Sequence, residues 1–324
     1  MSYHPFADAA AGGVAHAPTS GERGADTLFR SIAWTCALLI IALTVYLVLE
    51  IGAEALPAVH RFGFGFITGT TWNTVQDVYG VLPEIWGTLY SSLLALLFGG
   101  VFGIGIAVFI TQGFVHWRIA AGFRTIVELL AAIPSVVFGL WGIYVLIPAL
   151  RPVAAWLHEQ LGMVPLFSTP LNGPGLAPAA LVLSVMILPT VAAISVDALR
   201  RVPFSVTEAA YGMGTTRAEA IFRVMLPTAS SGILAALVLG FGRALGETMA
   251  LAMLIGNNNQ INLSLFAPAN TLASRLASSF PEADGTEVQA LMFAALVLLA
   301  VTLLVNIIGL GVQQIAMRKF EAKR

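Results

Sequence analysis

Charge is what this 324-residue chain has least of: 10% of its residues are charged and 58% are hydrophobic. A soluble domain carries roughly 25% charged residues. Lysine is nearly missing, Lys319 and Lys323 being the only two. A P-loop requires a lysine in its Gly-rich turn, so the body of the chain holds no phosphate loop with which to bind and hydrolyse ATP. The single cysteine, Cys36, excludes an internal disulfide and a structural zinc site and leaves the redox compartment open. The five histidines (His4, His16, His60, His116 and His158) scatter over tails and loops, so neither a metal nor a cofactor is expected. A net charge of -1 gives no electrostatic footprint for nucleic acid. No Ser/His/Asp or paired-carboxylate arrangement stands out in the apolar segments, and no catalytic residue is assigned. Residues 1–27 lack the apolar centre of roughly 7–15 residues that defines a signal peptide, and residues 1–30 read as a disordered cytoplasmic tail.

What the chain has in quantity is apolar runs. About 20 such residues cross the hydrocarbon core as a helix, and six segments qualify: 31–51, 83–112, 126–150, 176–196, 230–255 and 288–315. The expected class is an all-α membrane protein with six transmembrane helices. A first helix and its outer loop (31–82) precede a five-helix core (83–315), and a short basic tail (316–324) follows. Residues 151–175, with four prolines and three glycines, read as an irregular outer connection. Cations set orientation. With both termini cytoplasmic, inside segments hold 12 Lys and Arg, and outside loops hold three, Arg61, Arg151 and Arg275. The remaining cation, Arg243, lies inside a span.

That orientation puts loop 197–230 in the cytoplasm. Ser205-Val206-Thr207-Glu208 and Thr216-Arg217-Ala218-Glu219 each fit a capping box. Gly212 and Gly214 suit the left-handed residue that ends a helix. Ala218, Ile221, Phe222 and Met225 fall at i, i+3, i+4 and i+7, an apolar stripe, and Pro203 and Pro227 bound the unit. Two short capped helices of this kind form either a knob for a groove on a partner or a hairpin lying on headgroups.

The order Glu208-Ala209-Ala210, Gly214, Val224, Leu226-Pro227 resembles the EAA loop of bacterial ABC importer permeases, with valine where that loop has isoleucine. Glu128 through Gly142, Met186-Ile187-Leu188-Pro189-Thr190, and Gly242-Arg243-Ala244-Leu245-Gly246-Glu247-Thr248-Met249-Ala250 resemble the PstC-type permease of phosphate importers. The likeness runs from about Val81 to the end of the sixth span. It implies the type I ABC importer permease fold in a bacterial inner membrane. It also implies that the 203–227 loop docks into an ATP-hydrolysing subunit through Glu208, Ala209, Ala210, Gly214, Val224, Leu226 and Pro227. The implied partners are a second permease (PstA-type), two ATPase subunits (PstB-type) and an extracytoplasmic phosphate-binding protein (PstS-type), besides the lipid bilayer.

Inside the apolar spans a few polar residues stand out. Arg243 and Glu247 are four apart, which on a continuous helix is one face, and Glu247 reads as the one deep acid. An arginine at the bilayer centre costs roughly 2.5–3.5 kcal/mol on insertion scales. A guanidinium presents five donors in a planar fork suited to phosphate oxygens, so the pair reads as an anion station in which Glu247 positions the fork. The plainer alternative is a tether that stiffens the bundle. Ser135, after the break at Pro134, and Thr248, beside Glu247, are hydroxyls able to donate to an oxyanion. Pro134 alone also fits an ordinary kink. Glu128 has Arg124 four residues before it, and solvation at a helix end suffices to explain it. Gly99, Gly103 and Gly105, with Gly242 and Gly246, fit close helix packing.

Three classes of function fit a chain of this composition. The first is a permease subunit of an ATP-driven importer for phosphate, or for another oxyanion such as sulfate or molybdate. The second is an ion-coupled secondary transporter, which favours repeats and buried acids on several spans. The third is a membrane-embedded enzyme, which needs a nucleophile with a base in reach.

Overall fold

The computed structural model describes residues 20–321. Of the segment expected to be a tail, residues 20–30 form the beginning of the first helix, and 316–321 form the end of the last one; residues 1–19 and 322–324 lie outside the described part. The chain divides into two compact units between Ala53 and Glu54. In the first unit, the described residues are helical and expose apolar side chains all round, Phe29, Trp34, Leu38 and Ile41 among them. That is the surface of a helix made for lipid or for a neighbouring apolar surface. The helix that begins there, α1, is assigned Ser20–Thr68, with Gly63 non-helical inside it.

The second unit continues with a two-stranded hairpin, β1 (Trp72–Asn73) and β2 (Val78–Tyr79), and then α2 (Leu82–Thr111), α3 (Trp117–Ala132), α4 (Ser135–Trp141) and α5 (Ile147–Leu161). There follow α6 (Leu176–Arg200), α7 (Phe204–Gly212), α8 (Arg217–Glu219), α9 (Leu226–Thr228) and α10 (Ser230–Leu245). The unit ends with α11 (Met249–Leu254), α12 (Leu272–Ser279) and α13 (Gly285–Glu321). Among the described residues five helices are long and apolar enough to cross a bilayer: Arg23–Thr68, Leu82–Thr111, Ser135–Leu161, Leu176–Arg200 and Gly285–Ile315. The pair Arg217–Thr228 and Ser230–Leu245, bent by 71°, is apolar and long enough for a sixth only when the two helices are taken together.

The scaffold is α2 against α6. Pro83 occupies the first turn of α2, where its missing N–H costs nothing. Gly99 and Gly103 let the two backbones close up. A Cβ at Gly99 would stand 2.7 Å from the Ser184 carbonyl oxygen, and one at Gly103 2.9 Å from Val191 Cγ1. Residue numbers rise together across these contacts, so α2 and α6 run parallel. α10 runs antiparallel to both, with Gly232 on Ala198 and Gly240 on Val191. α13 runs antiparallel to α10, with Gly309 on Val238. Phe138, Leu176, Leu183, Ile187, Leu251 and Leu254 fill the central core.

Several expectations change here. The third crossing is 135–161, not 126–150. Pro134, held extended (φ -60, ψ 142), stands at the start of α4 and ends a separate amphipathic helix, α3, because the residue before a proline disfavours the helical region. Residues 151–161 are not irregular. A π-helical turn at Gly142–Leu146 leads into α5, which carries Arg151, Pro152 and His158. His60 likewise lies in α1 rather than in a loop. The fifth segment breaks between Leu245 and Met249. A Cβ at Gly105 would meet nothing within 4 Å and one at Gly246 only its own chain, so neither makes a close helix contact.

Replacing Gly103 by Leu is expected to destabilise the detergent-solubilised chain by about 1–3 kcal/mol through overpacking, seen as a lower thermal midpoint. Gly105→Leu is expected to stay within about 0.5 kcal/mol. Equal behaviour of the two variants would contradict the α2–α6 contact.

Candidate functional site

The connection between α6 and α10 is a compact knob. α7 begins after Pro203 with no side-chain cap. The expected box at Ser205 to Glu208 therefore does not form, because the helix starts at Phe204 and Ser205 is already inside it. The second box does form. Thr216 Oγ1 accepts from the Glu219 amide at 3.3 Å, and Glu219 Oε2 accepts from the Thr216 amide at 3.0 Å. Gly214 takes φ +81, the left-handed conformation that ends α7. The Thr215 amide and hydroxyl then both donate to the Ala210 carbonyl, at 3.3 and 2.8 Å. Gly212 stays helical as the last residue of α7.

The apolar stripe differs from expectation. Residues 220–225 form a π-helical turn, whose wider i→i+5 bonding shifts the register. Ala220, Ile221 and Met225 are buried, while Ala218 and Phe222 are exposed. Ala210 is buried, Glu208 and Ala209 are exposed, and Val224, Leu226 and Pro227 are half-buried. Phe204, Tyr211, Met213 and Phe222 present an apolar outer surface. The knob is thus folded on Ala210, Ile221 and Met225 and faces outward with Glu208 and four large apolar side chains.

The second feature is the break after α10. The helix ends at Leu245, and Glu247 and Thr248 lie in the turn before α11. Arg243 is in the last turn of α10, where a cation suits the helix C-terminus. Its Nη1 donates to Thr190 Oγ1 at 3.2 Å. Thr190 is 14 residues into α6, about 21 Å from its start and about 15 Å from its end at 1.5 Å per residue, so the guanidinium sits at mid-bundle depth. The predicted pairing of Arg243 with Glu247 is not observed. The ion pairs among the described residues are Arg61–Asp77, Arg124–Glu128, Arg223–Glu219 and Arg275–Glu84. The helix stops between the two residues, and Glu247 Oε1 accepts instead from the Ala250 amide at 3.4 Å. The Thr248 hydroxyl donates to the Gly246 carbonyl at 3.1 Å, so its proton is already placed. Ser135 is half-buried in the first turn of α4. α4 lies on α11, Gly139 facing Met253 and Ala250, which brings the Pro134 break and the Gly246–Thr248 break onto neighbouring short helices.

A family model described as the inner membrane component of binding-protein-dependent transport systems matches residues 99–321. The chain belongs to this family. It is a multi-pass inner-membrane transport permease. It is 37% identical to the phosphate transport system permease protein PstC of Mesorhizobium japonicum, over 86% of this chain and 87% of the relative. To the PstC protein of Pasteurella multocida it is 36% identical, over 92% and 93%. Its fold is similar to a bacterial alginate ABC transporter crystallised with a periplasmic protein. That match has a TM-score of 0.59 at 16% identity and covers 88% of this chain and 94% of the other. The permease has the type I ABC importer fold.

At the end of the permease bundle opposite the knob lies a polar cluster that hydropathy conceals. Glu84, two residues into α2, has no exposed surface, and the Arg275 side chain is 15% exposed. Arg275 Nε and Nη2 both donate to Glu84 Oε1, at 3.1 and 3.0 Å. Nη2 also donates to Asn259 Oδ1, and the guanidinium lies 5.1 Å from the centroid of the Trp72 ring. Segment 256–272 straps the first turns of α2 from both sides. Trp86 Nε1 donates to the Asn262 carbonyl, Tyr90 to the Leu263 carbonyl, and the Leu272 amide to Thr88 Oγ1. Arg275 is therefore no loop cation, and the fully buried acid among the described residues is Glu84 at the bundle's end, not Glu247. The only sequence signal was an acid inside the first turn of a long apolar helix.

Removing one partner of a buried pair strands the other, at about 3–5 kcal/mol. Glu84→Ala is expected to lower the thermal midpoint of the purified permease accordingly, and adding Arg275→Met is expected to recover part of the loss. An unchanged midpoint for Glu84→Ala would mean that the pair is not closed.

Proposed function

We propose that this chain is the permease subunit of an ATP-driven phosphate importer, with both termini cytoplasmic. It encloses a pathway with a second, related permease of the PstA type. Two ATPase subunits of the PstB type grip the knobs, and an extracytoplasmic phosphate-binding protein of the PstS type delivers the anion at the opposite end. ATP hydrolysis belongs to the ATPase subunits, and the chain itself contributes no catalytic group. The names of the PstC relatives support phosphate as the cargo.

The observation that carries the reading is Arg243. A guanidinium at mid-bundle depth, exposed on a single chain and held by one hydroxyl rather than by a carboxylate, keeps donors for an anion. In hydrocarbon it persists only against protein or water, and the face of a second permease supplies that surroundings. The broken segment beside it fits the rule that broken helices in transporters line the cavity. Glu247 and Thr248 shape the turn next to the guanidinium, and Ser135 offers a further hydroxyl across α4. The knob supports the coupling half of the proposal. Glu208, Ala209, Ala210 and Gly214, with Val224, Leu226 and Pro227, make a rigid projection with an apolar outer surface suited to a cleft on a soluble partner. ATP binding closes the ATPase pair and draws the knobs together, and the bundle opens away from them; release reverses it.

Arg243→Gln is expected to abolish phosphate uptake in a strain dependent on this chain, with the complex still co-purifying. Normal uptake would reduce Arg243 to a structural tether. Gly214→Val imposes a branched side chain on a left-handed position. It is expected to leave membrane insertion intact while ATP hydrolysis no longer drives uptake; coupled transport at the usual rate would remove the knob from the mechanism.

A further inference from the structure

We infer that Thr190 is a positioning and anion-contacting residue of the transport pathway: its oxygen fixes the Arg243 guanidinium and its hydroxyl proton is donated to the same oxyanion. This rests on the reading of Arg243 as the anion station. A threonine hydroxyl has one proton to give and lone pairs to accept with. In the helices of this chain that proton is usually spent at home. Thr27, Thr35, Thr44, Thr88, Thr111, Thr228 and Thr302 each donate to the carbonyl four residues back, at 2.7–2.9 Å. Thr190 makes no such bond among the described residues. Its Oγ1 accepts from Arg243 Nη1, an arrangement that leaves the hydroxyl proton directed elsewhere.

The location suits an anion seat. Thr190 is half-buried on α6, next to Pro189. α6 is the most enclosed of the candidate spans among the described residues, so the hydroxyl has a fixed position. Arg243 is long, exposed and on a different helix. One bond from a rigid element holds it with its remaining donors free. An oxyanion seated against Thr190 and Arg243 on the exposed side of the α6–α10 contact then meets a guanidinium and a hydroxyl together, both preorganised. Thr248, the residue singled out beside the motif, is the poorer donor because its proton already serves the Gly246 carbonyl.

A hydrogen bond to a charged group, once lost, weakens binding roughly 10- to 100-fold. The purified complex of permeases and ATPases without the binding protein, carrying Thr190→Val, which keeps the shape and removes the hydroxyl, is expected to show that rise in Kd for inorganic phosphate. Thr190→Ser is expected to restore Kd. A packing role predicts the reverse order, valine tolerated and serine impaired. Should the valine variant fail to assemble, Thr190→Ala against Thr190→Ser reads the hydroxyl in the same way. Equal Kd values in either comparison overturn the inference. If Arg243→Gln still abolishes uptake in that case, the anion station stands and only the role of Thr190 falls. If Arg243→Gln transports normally, the station falls first.

Discussion

A guanidinium cannot stay in hydrocarbon unless protein or water solvates it, and that constraint organises the middle of this permease. Arg243 is placed in the last turn of α10, where the helix end favours a cation, and is bonded to a hydroxyl on the best-buried helix. The chain then breaks for three residues before α11 begins. Backbone freed by a break inside a membrane is tolerated only where it meets protein or lines an aqueous cavity. The cation and the break therefore make the same demand on their surroundings, and a pathway shared with a second permease meets both.

The rest of the unit follows from holding that position still. α2 and α6 close onto each other through Gly99 and Gly103, and α10 lies antiparallel on them. α10 starts just after the 71° bend that joins it to the knob and carries Arg243 in its last turn. Displacement of the knob thus acts on the guanidinium through one continuous helix about 20 Å long. At the far end, the buried Glu84–Arg275 pair and the strap 256–272 lock the start of α2. A buried ion pair is weak evidence for stability, but this one joins α2 to α12 at the end of the bundle opposite the knob.

Much of this was legible in the residues. Apolar runs long enough to cross a bilayer marked five crossings and the bent sixth, and Thr216-x-x-Glu219 and Gly214 behaved as their chemistry dictates. What failed did so for identifiable reasons. A proline was read as a kink inside a span, but Pro134 starts one, since a run of hydropathy does not say where its helix begins. The i, i+4 rule paired Arg243 with Glu247, yet it holds only while the helix continues. The stripe from Ala218 to Met225 assumed 3.6 residues per turn across a π-helical turn. Glu84 and Thr190 were invisible as partners because each meets its counterpart from a distant part of the chain, at Arg275 and Arg243, and no spacing rule spans that separation.

The central claim, that the broken segment beside Arg243 borders an aqueous route for the anion, is tested most directly by thiol labelling. In the assembled complex with Cys36 replaced by serine, Gly246→Cys is treated with a charged, membrane-impermeant thiol reagent, with and without inorganic phosphate. Leu304→Cys, on the exposed apolar side of α13 turned away from α10, serves as the control. The account predicts labelling at position 246 that phosphate slows, and none at 304. A position 246 that stays unlabelled in every nucleotide state, or labels at a rate indifferent to phosphate, would contradict it.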